Sequence, residues 1–181
     1  AGVLNHNPQP FFAAIMTLSS HHPYTLPPGA EEKFRKGTLP IHQSVLYADH
    51  ALGAFINAAM DSGWGRNTLF VITADHTETL EYTSNRTSKG IWEVPLVFYE
   101  YGRTWEEPLS DKPVQHADIM PGILQQIGYP RDYVAFGNKL FNTGSPSYTV
   151  HFINDLYLVI SDTLLMEHSG KKPLALYHHI N

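Results

Sequence analysis

The stretch that decides the fold is residues 68–76, which read TLFVITADH. Its first six residues are the apolar and β-branched kind that form a buried strand. The run ends in a carboxylate and an imidazole side by side, Asp75 and His76. Ligands in open α/β folds collect at the carboxyl ends of strands, and these two side chains suit Zn²⁺, Mn²⁺ or a similar divalent ion. The stretch predicts a pair of metal ligands at a strand end. The alternative is that the two side chains bind no metal and are ordinary residues at the end of a strand.

The segments before this stretch predict a strand and a helix. Residues 10–18 are apolar on both faces, which is typical of a buried strand in a parallel sheet. A stripe of apolar residues at helical spacing follows, with Thr38 as the expected N-cap, Pro40 in the first turn and Gly63 at the end. Because a helix then separates two buried strands, the pattern predicts a parallel pair with a right-handed crossover.

The segments after it predict a change of architecture along the chain. Residues 94–99 read as a third strand and residues 117–127 as a shorter helix. Beyond about residue 145, four short β-runs separated by tight turns predict antiparallel hairpins. The predicted fold class is therefore α/β: a partial parallel sheet with helices over residues 1–145, followed by a small antiparallel β subdomain over residues 146–181.

Composition narrows the classes of function. The chain has 181 residues, of which 43% are hydrophobic, so it is long and apolar enough to bury a sizeable core. A formal charge of −5 disfavours nucleic acid as a partner, because phosphate binding needs a basic face. No apolar stretch approaches the roughly 20 residues that span a bilayer. The chain has no cysteine, which excludes a disulfide, a thiolate metal site and a cysteine nucleophile within these residues.

Several histidines are candidates for the same site. His21 and His22 follow the first predicted strand, so they would lie at the edge that carries Asp75 if the two strands are parallel. Such a cluster could present the two metal ligands together with an imidazole that binds or protonates an anionic substrate. The alternative is that these histidines are simply exposed. His116 precedes the second helix and could contact substrate or serve a structural role.

A second Asp-His pair lies inside the predicted long helix. Asp49 and His50 are most simply read as solvent-facing or packing residues. Thr38 is a conceivable nucleophile at the start of a helix, but a role as the N-cap residue of that helix requires fewer assumptions. No Gly-x-Ser-x-Gly elbow and no glycine-rich phosphate loop occurs in the sequence.

Five segments, taken in order, resemble the sulfatase-like phosphoglycerol transferases, the lipoteichoic acid synthase group of the alkaline phosphatase superfamily. They are PFF…TLSSHHPY (10–24), YADHALGAFI (47–56), NTLFVITADH (67–76), VPLVFY (94–99) and HADIMPGIL (116–124). The resemblance implies that Asp75 and His76 bind a divalent metal, usually Mn²⁺ or Mg²⁺, with Zn²⁺ or Ca²⁺ as alternatives. It implies that His21 contacts the phosphoglycerol head of the substrate, with His116 as a further candidate.

The resemblance also implies what this chain lacks. The family's threonine nucleophile and metal-binding glutamate lie on earlier segments, so the chain is expected to be the C-terminal part of a catalytic domain with no nucleophile of its own. Membrane helices that anchor the enzyme are expected upstream, with the catalytic part outside the cytoplasm, in the periplasm or at the outer face of the inner membrane.

The expected function is that of a metal-dependent phosphoglycerol transferase or phosphodiesterase. It would act on anionic esters of the cell envelope, either a phospholipid headgroup or a polymer ester. The alternatives are a sulfate-ester hydrolase of the same superfamily and a non-catalytic domain that keeps the fold. The chain by itself is expected to bind metal weakly or not at all, to be inactive, and to self-associate through the exposed edge of a truncated sheet.

Overall fold

The structure, a computed structural model, describes residues 1–78, 82–105, 112–141, 144 and 147–178. The chain divides into two compact units. Unit 1 consists of Ala1–Thr73 and Leu96–Arg103, and unit 2 consists of Ala74–Pro95 and Thr104–Asn181. The predicted domain boundary between residues 145 and 146 lies outside the described residues and stays a prediction.

Unit 1 is built around one long helix, α1 (Pro40–Asp61), which confirms the predicted helix. Pro40 occupies the first helical position, where its fixed φ suits the helix and its missing N–H costs nothing. The predicted N-cap Thr38 is wrong: Leu39 holds that position, because the proline sets the helix start one residue later. The helix stops before Gly63, whose φ of 84° is the left-handed conformation that glycine adopts readily.

Two strands complete unit 1. The strands β1 (Leu69–Thr73) and β2 (Leu96–Glu100) form an antiparallel pair in which Leu69 lies opposite Glu100. The buried core combines Ala59 of α1, Trp64 and Phe70 of β1. Both strands were predicted from their apolar runs, and both are confirmed.

The predicted buried strand over residues 10–18 is wrong. No strand forms there, and most of the apolar side chains are exposed, Phe12 to 83% and Met16 to 79%. Phe11 is the exception, because its ring packs edge-on against Trp64 with 5.5 Å between ring centroids. The predicted parallel pair is also wrong, since every strand pair among the described residues is antiparallel. Apolar patterning indicates a preference for burial, but a strand also needs a neighbouring backbone to bond to.

Unit 2 combines a short helix with a separate sheet. The helix α2 (Ile119–Gln126) follows a 3₁₀ turn, His116–Asp118, and ends before Gly128 at φ 63°. The sheet runs in chain order and is antiparallel throughout, as predicted for the hairpins. Its strands are β3 (Tyr148–Ile153), β4 (Leu156–Ser161), β5 (Leu164–His168) and β6 (Pro173–His178).

The sheet of unit 2 has its own small core. Leu158, Ile160 and Leu165 are buried on it, and Trp92 from the loop after β1 packs against them. Asn154 and Asp155 connect β3 to β4 with φ values of 50° and 62°, the conformation of a tight two-residue hairpin turn. Among the described helices, none is both long and apolar enough to cross a membrane.

Candidate metal centre

Asp75 and His76 present their side chains together to solvent. The Asp75 Oδ2 and His76 Nε2 atoms lie 3.7 Å apart, and the side chains are 73% and 67% exposed. The other carboxylate oxygen of Asp75 accepts a hydrogen bond from the backbone N–H of His76 at 3.0 Å. One carboxylate oxygen and one ring nitrogen are therefore close enough for a single ion to contact both.

The ring of His76 is oriented by a hydrogen bond to the backbone. Its Nδ1 donates to the carbonyl oxygen of Thr77 at 2.7 Å, so in the neutral ring Nε2 carries the free lone pair. Metal-binding histidines commonly donate their second ring N–H to such an acceptor. This hydrogen bond, followed by the negative charges of Asp75 and Glu78, raises the pKa of His76 above its usual value. Electrostatically, the pair attracts positive charge.

The pair is an incomplete ligand set. Within the described ranges, no group of three or more histidines and acidic residues is placed to hold a metal ion. A catalytic ion normally has at least three protein ligands and an open position. Asp75 and His76 thus fit two ligand positions of a divalent ion, and the described residues do not supply a third.

Two side-chain hydrogen bonds lie in the described part of the segment after the pair. The hydroxyl of Thr77 donates to the carbonyl oxygen of Ile91 at 2.7 Å. The hydroxyl of Thr87 accepts from the N–H of Gly90 at 2.9 Å. The residue that follows His76 is thereby fixed to the far end of the loop.

His116 contacts the residue that precedes the pair. Its Nε2 donates to the carbonyl oxygen of Ala74, the residue before Asp75, at 2.8 Å. The structure therefore brings together three of the predicted site residues, Asp75, His76 and His116. The exposed ring of His116 leaves the predicted substrate role open, while the hydrogen bond gives it a structural one.

A buried carboxylate holds the turn that carries His116. Asp118 is 3% exposed and accepts hydrogen bonds from the backbone N–H groups of Gln115 at 3.0 Å and Asn138 at 2.7 Å. Asp118 was not among the predicted site residues. Its spacing of three residues from Gln115, as in a capping box, is the signal by which this carboxylate could have been found.

His21 belongs to unit 1, apart from the other candidates in the division of the chain. It is exposed, and its Nδ1 donates to the carbonyl oxygen of His22 at 2.7 Å. Its Nε2 is therefore directed away from the backbone bond, as in His76. The predicted approach of His21 to the metal pair stays a prediction.

Sequence reasoning also missed a ring stack between the loop and the sheet of unit 2. The rings of Trp92 and His151 lie 4.2 Å apart and are nearly parallel, at 17°. The Nε2 of His151 also forms a hydrogen bond with the hydroxyl of Thr149 at 3.0 Å. Burial, followed by repulsion from His116, lowers the pKa of His151 below its usual value.

Comparison with known proteins places this chain in a family. The sulfatase family model matches residues 1–129. Lipoteichoic acid synthase from Staphylococcus aureus strain USA300 is 29% identical over 151 residues, covering 75% of this chain and 23% of that protein. The same values hold for the enzyme of strain NCTC 8325. The chain thus spans less than a quarter of the length of these curated relatives.

A solved structure shares the fold. It is a protein of the alkaline phosphatase superfamily from Vibrio parahaemolyticus, with a TM-score of 0.73, 21% identity, and coverage of 99% of this chain and 46% of that one. The likeness confirms the predicted α/β fold class with its small C-terminal antiparallel sheet. The predicted resemblance to sulfatase-like proteins of the lipoteichoic acid synthase type is confirmed as well. Because the family model matches well over half of its residues, the chain belongs to the sulfatase family.

Proposed function

We propose that the protein carrying this chain is a metal-dependent enzyme that transfers phosphoglycerol groups, or cleaves their diesters, on anionic components of the cell envelope. The observation that carries the proposal is the Asp75–His76 pair, with two ligand atoms 3.7 Å apart and the His76 ring fixed through Thr77. The similarity to lipoteichoic acid synthases supports phosphoglycerol chemistry over the other reactions of the superfamily.

In this proposal each candidate residue has one task. Asp75 and His76 hold a divalent ion, Mn²⁺ or Mg²⁺ first, while Zn²⁺ and Ca²⁺ also accept such donors. When bound, the ion polarises the ester and favours the ionised form of a hydroxyl nucleophile. His21 and His116 bind the anionic group of the substrate, either a phospholipid headgroup or a polymer ester.

The nucleophile comes from a segment outside these 181 residues. Its hydroxyl oxygen attacks the phosphorus, the leaving alcohol departs with a proton, and an acceptor alcohol or water then releases the ester from the enzyme. The proposed location is extracytoplasmic, with the parent protein anchored in the membrane by other segments. The chain alone then has no turnover, because a pair of ligands without a nucleophile cannot complete the reaction.

The experiment uses the full-length gene product. Release of glycerol phosphate from phosphatidylglycerol vesicles is measured with Mn²⁺, after chelation with EDTA, and after Mn²⁺ is added back. We expect turnover that disappears with the chelator and returns with the metal. Turnover that is insensitive to the chelator would contradict the metal-dependent mechanism.

Sulfate-ester hydrolysis is the second candidate, and the match to the sulfatase family model favours it. An aryl sulfate assayed beside the phospholipid separates the two reactions, because each enzyme class should strongly prefer its own ester. Metal-dependent cleavage of the sulfate ester alone would replace phosphoglycerol transfer by sulfatase activity. A folded full-length protein that turns over neither ester would indicate a non-catalytic domain.

A further inference from the structure

Two separate chains of contacts connect the Asp75–His76 pair to one strand of the C-terminal sheet. The first begins on the C-terminal side of the pair. The hydroxyl of Thr77 donates to the carbonyl oxygen of Ile91 at 2.7 Å, and Trp92 directly follows Ile91 in the chain. The indole of Trp92 then stacks on the ring of His151 in β3, with 4.2 Å between centroids.

The second chain of contacts begins on the N-terminal side of the pair. The carbonyl oxygen of Ala74 accepts a hydrogen bond from His116 at 2.8 Å. The next residue back, Gln115, uses its side-chain oxygen to accept the backbone N–H of Val150 at 3.0 Å. Both chains of contacts thus end on adjacent residues of β3, Val150 and His151.

The strand at which they end is firmly held. All six residues of β3 pair with β4. The ring of His151 is oriented by the hydroxyl of Thr149, which is itself 7% exposed. Trp92 packs on the buried residues of β4 and β5, so the stack is part of the core of the sheet.

Among the described residues, the side chains of the pair itself are held only by local contacts. Both of its side chains are more than two-thirds exposed, and its local hydrogen bonds reach only as far as Thr77. A working metal site holds its ligands to within about 0.5 Å, and residues behind the ligands normally provide that precision. Here the support lies more than 70 residues further along the chain.

We propose that His151 is a positioning residue for Asp75 and His76, and that the C-terminal sheet is a structural part of the metal centre. His151 touches neither ligand; it acts by holding Trp92, and with it the carbonyl group of Ile91 to which Thr77 is hydrogen-bonded. The role in metal binding depends on the proposed function, whereas the mechanical connection does not.

The experiment measures hydrogen exchange of the peptide over residues 74–78 in the full-length gene product. His151→Ala removes the stack, and we expect exchange in this peptide to rise about tenfold. Phe152→Ala is the matched control: it deletes a ring on the same strand, 59% exposed and in contact with Tyr157, and should leave the peptide unchanged. His151→Phe keeps an aromatic ring on Trp92 and should restore most of the protection.

A second variant covers the case in which His151→Ala fails to fold. Thr77→Val keeps the side-chain shape but removes the hydrogen bond to Ile91, and it should raise exchange over residues 74–78 without altering the sheet. Unchanged exchange in a folded His151→Ala protein, or in Thr77→Val if the former does not fold, would overturn the proposal.

Metal affinity separates this proposal from the function on which it builds. Loss of a residue that supports a ligand typically weakens metal binding about 10- to 100-fold. We expect His151→Ala to weaken Mn²⁺ binding by about tenfold and to lower kcat more than it raises KM, with both values recovered in His151→Phe. A wild-type protein that binds no Mn²⁺ but shows the expected exchange pattern would refute the function and retain the positioning role of the sheet.

Discussion

The dipeptide Asp-His occurs twice in this chain, and the two copies have different surroundings. Asp49 and His50 lie in the middle of α1, where successive side chains diverge by about 100° around the helix. The ring of His50 lies against Phe34, with 5.4 Å between centroids. Asp75 and His76 lie just after β1, where the backbone leaves regular structure and the ligand atoms come within 3.7 Å. At the strand end the two side chains lie close enough to share one proposed ion, whereas neighbouring side chains in a helix diverge.

Removing the two aspartates in turn gives the largest expected difference. Asp75→Ala deletes a proposed metal ligand, so we expect kcat/KM of the full-length protein to fall by about 10³-fold or more. Asp49→Ala, an exposed change in a helix, should leave kcat/KM within about twofold. A steady-state assay with the preferred ester checks both. Equal losses in the two variants would remove the distinction between the pairs.

A third aspartate, Asp118, allows the same comparison to be made for the free energy of unfolding. Asp118→Ala leaves two backbone N–H groups without their acceptor, each at a cost of about 1–3 kcal/mol, so we expect the free energy of unfolding to fall by about 2–4 kcal/mol. Asp49→Ala should change it by less than about 0.5 kcal/mol. Urea denaturation measures both values. A stable Asp118→Ala protein would show that the turn before α2 is held by other contacts.

His151 is expected to make the stability of the protein depend on pH. Because burial lowers the pKa of His151, the unfolded chain binds a proton at this residue before the folded protein does. Stability should therefore be unaffected by His151 above its unfolded pKa of about 6.5 and should fall as the pH drops below that value. Thermal unfolding between pH 7.5 and 5.5 measures the effect. His151→Phe should flatten the acid limb of this pH dependence, and equal slopes in the wild-type protein and the variant would refute this assignment.

The smallest expected effect concerns self-association, and it compares the two segments predicted as strands, β1 and residues 10–18. β1 pairs with β2. Residues 10–18 form no strand, and Phe12 and Ile15 are exposed there. We propose that this segment associates with a second copy of the chain, because unpaired apolar segments favour self-association. Sedimentation of the 181-residue chain should show weak dimers that Phe12→Ser with Ile15→Ser removes. A clean monomer at high concentration would contradict this.

The sequence predicts local elements of this fold better than their pairing. The apolar runs placed β1, β2 and the four C-terminal strands, and Pro40 with Gly63 bracketed α1, because these signals act within a few residues. The error at residues 10–18 has the opposite origin. Whether an extended segment becomes a strand depends on a partner that can lie anywhere along the chain, and the hydrophobic pattern does not record it.

The candidate site shows the same limit. Asp75 and His76 could be predicted because a carboxylate and an imidazole directly follow a strand. The hydrogen bond from His76 to Thr77 depends on a ring orientation that sequence does not specify. The stack of Trp92 on His151 joins residues 59 positions apart, and no short-range pattern contains it.

The central claim is that Asp75 and His76 bind the metal. The most direct measurement is an anomalous difference map from crystals of the full-length protein grown with Mn²⁺. The prediction is a peak between the two side chains, at coordinating distance from a carboxylate oxygen of Asp75 and from Nε2 of His76. A Mn²⁺ ion bound elsewhere, with no density between these two side chains at saturating metal, would contradict the claim.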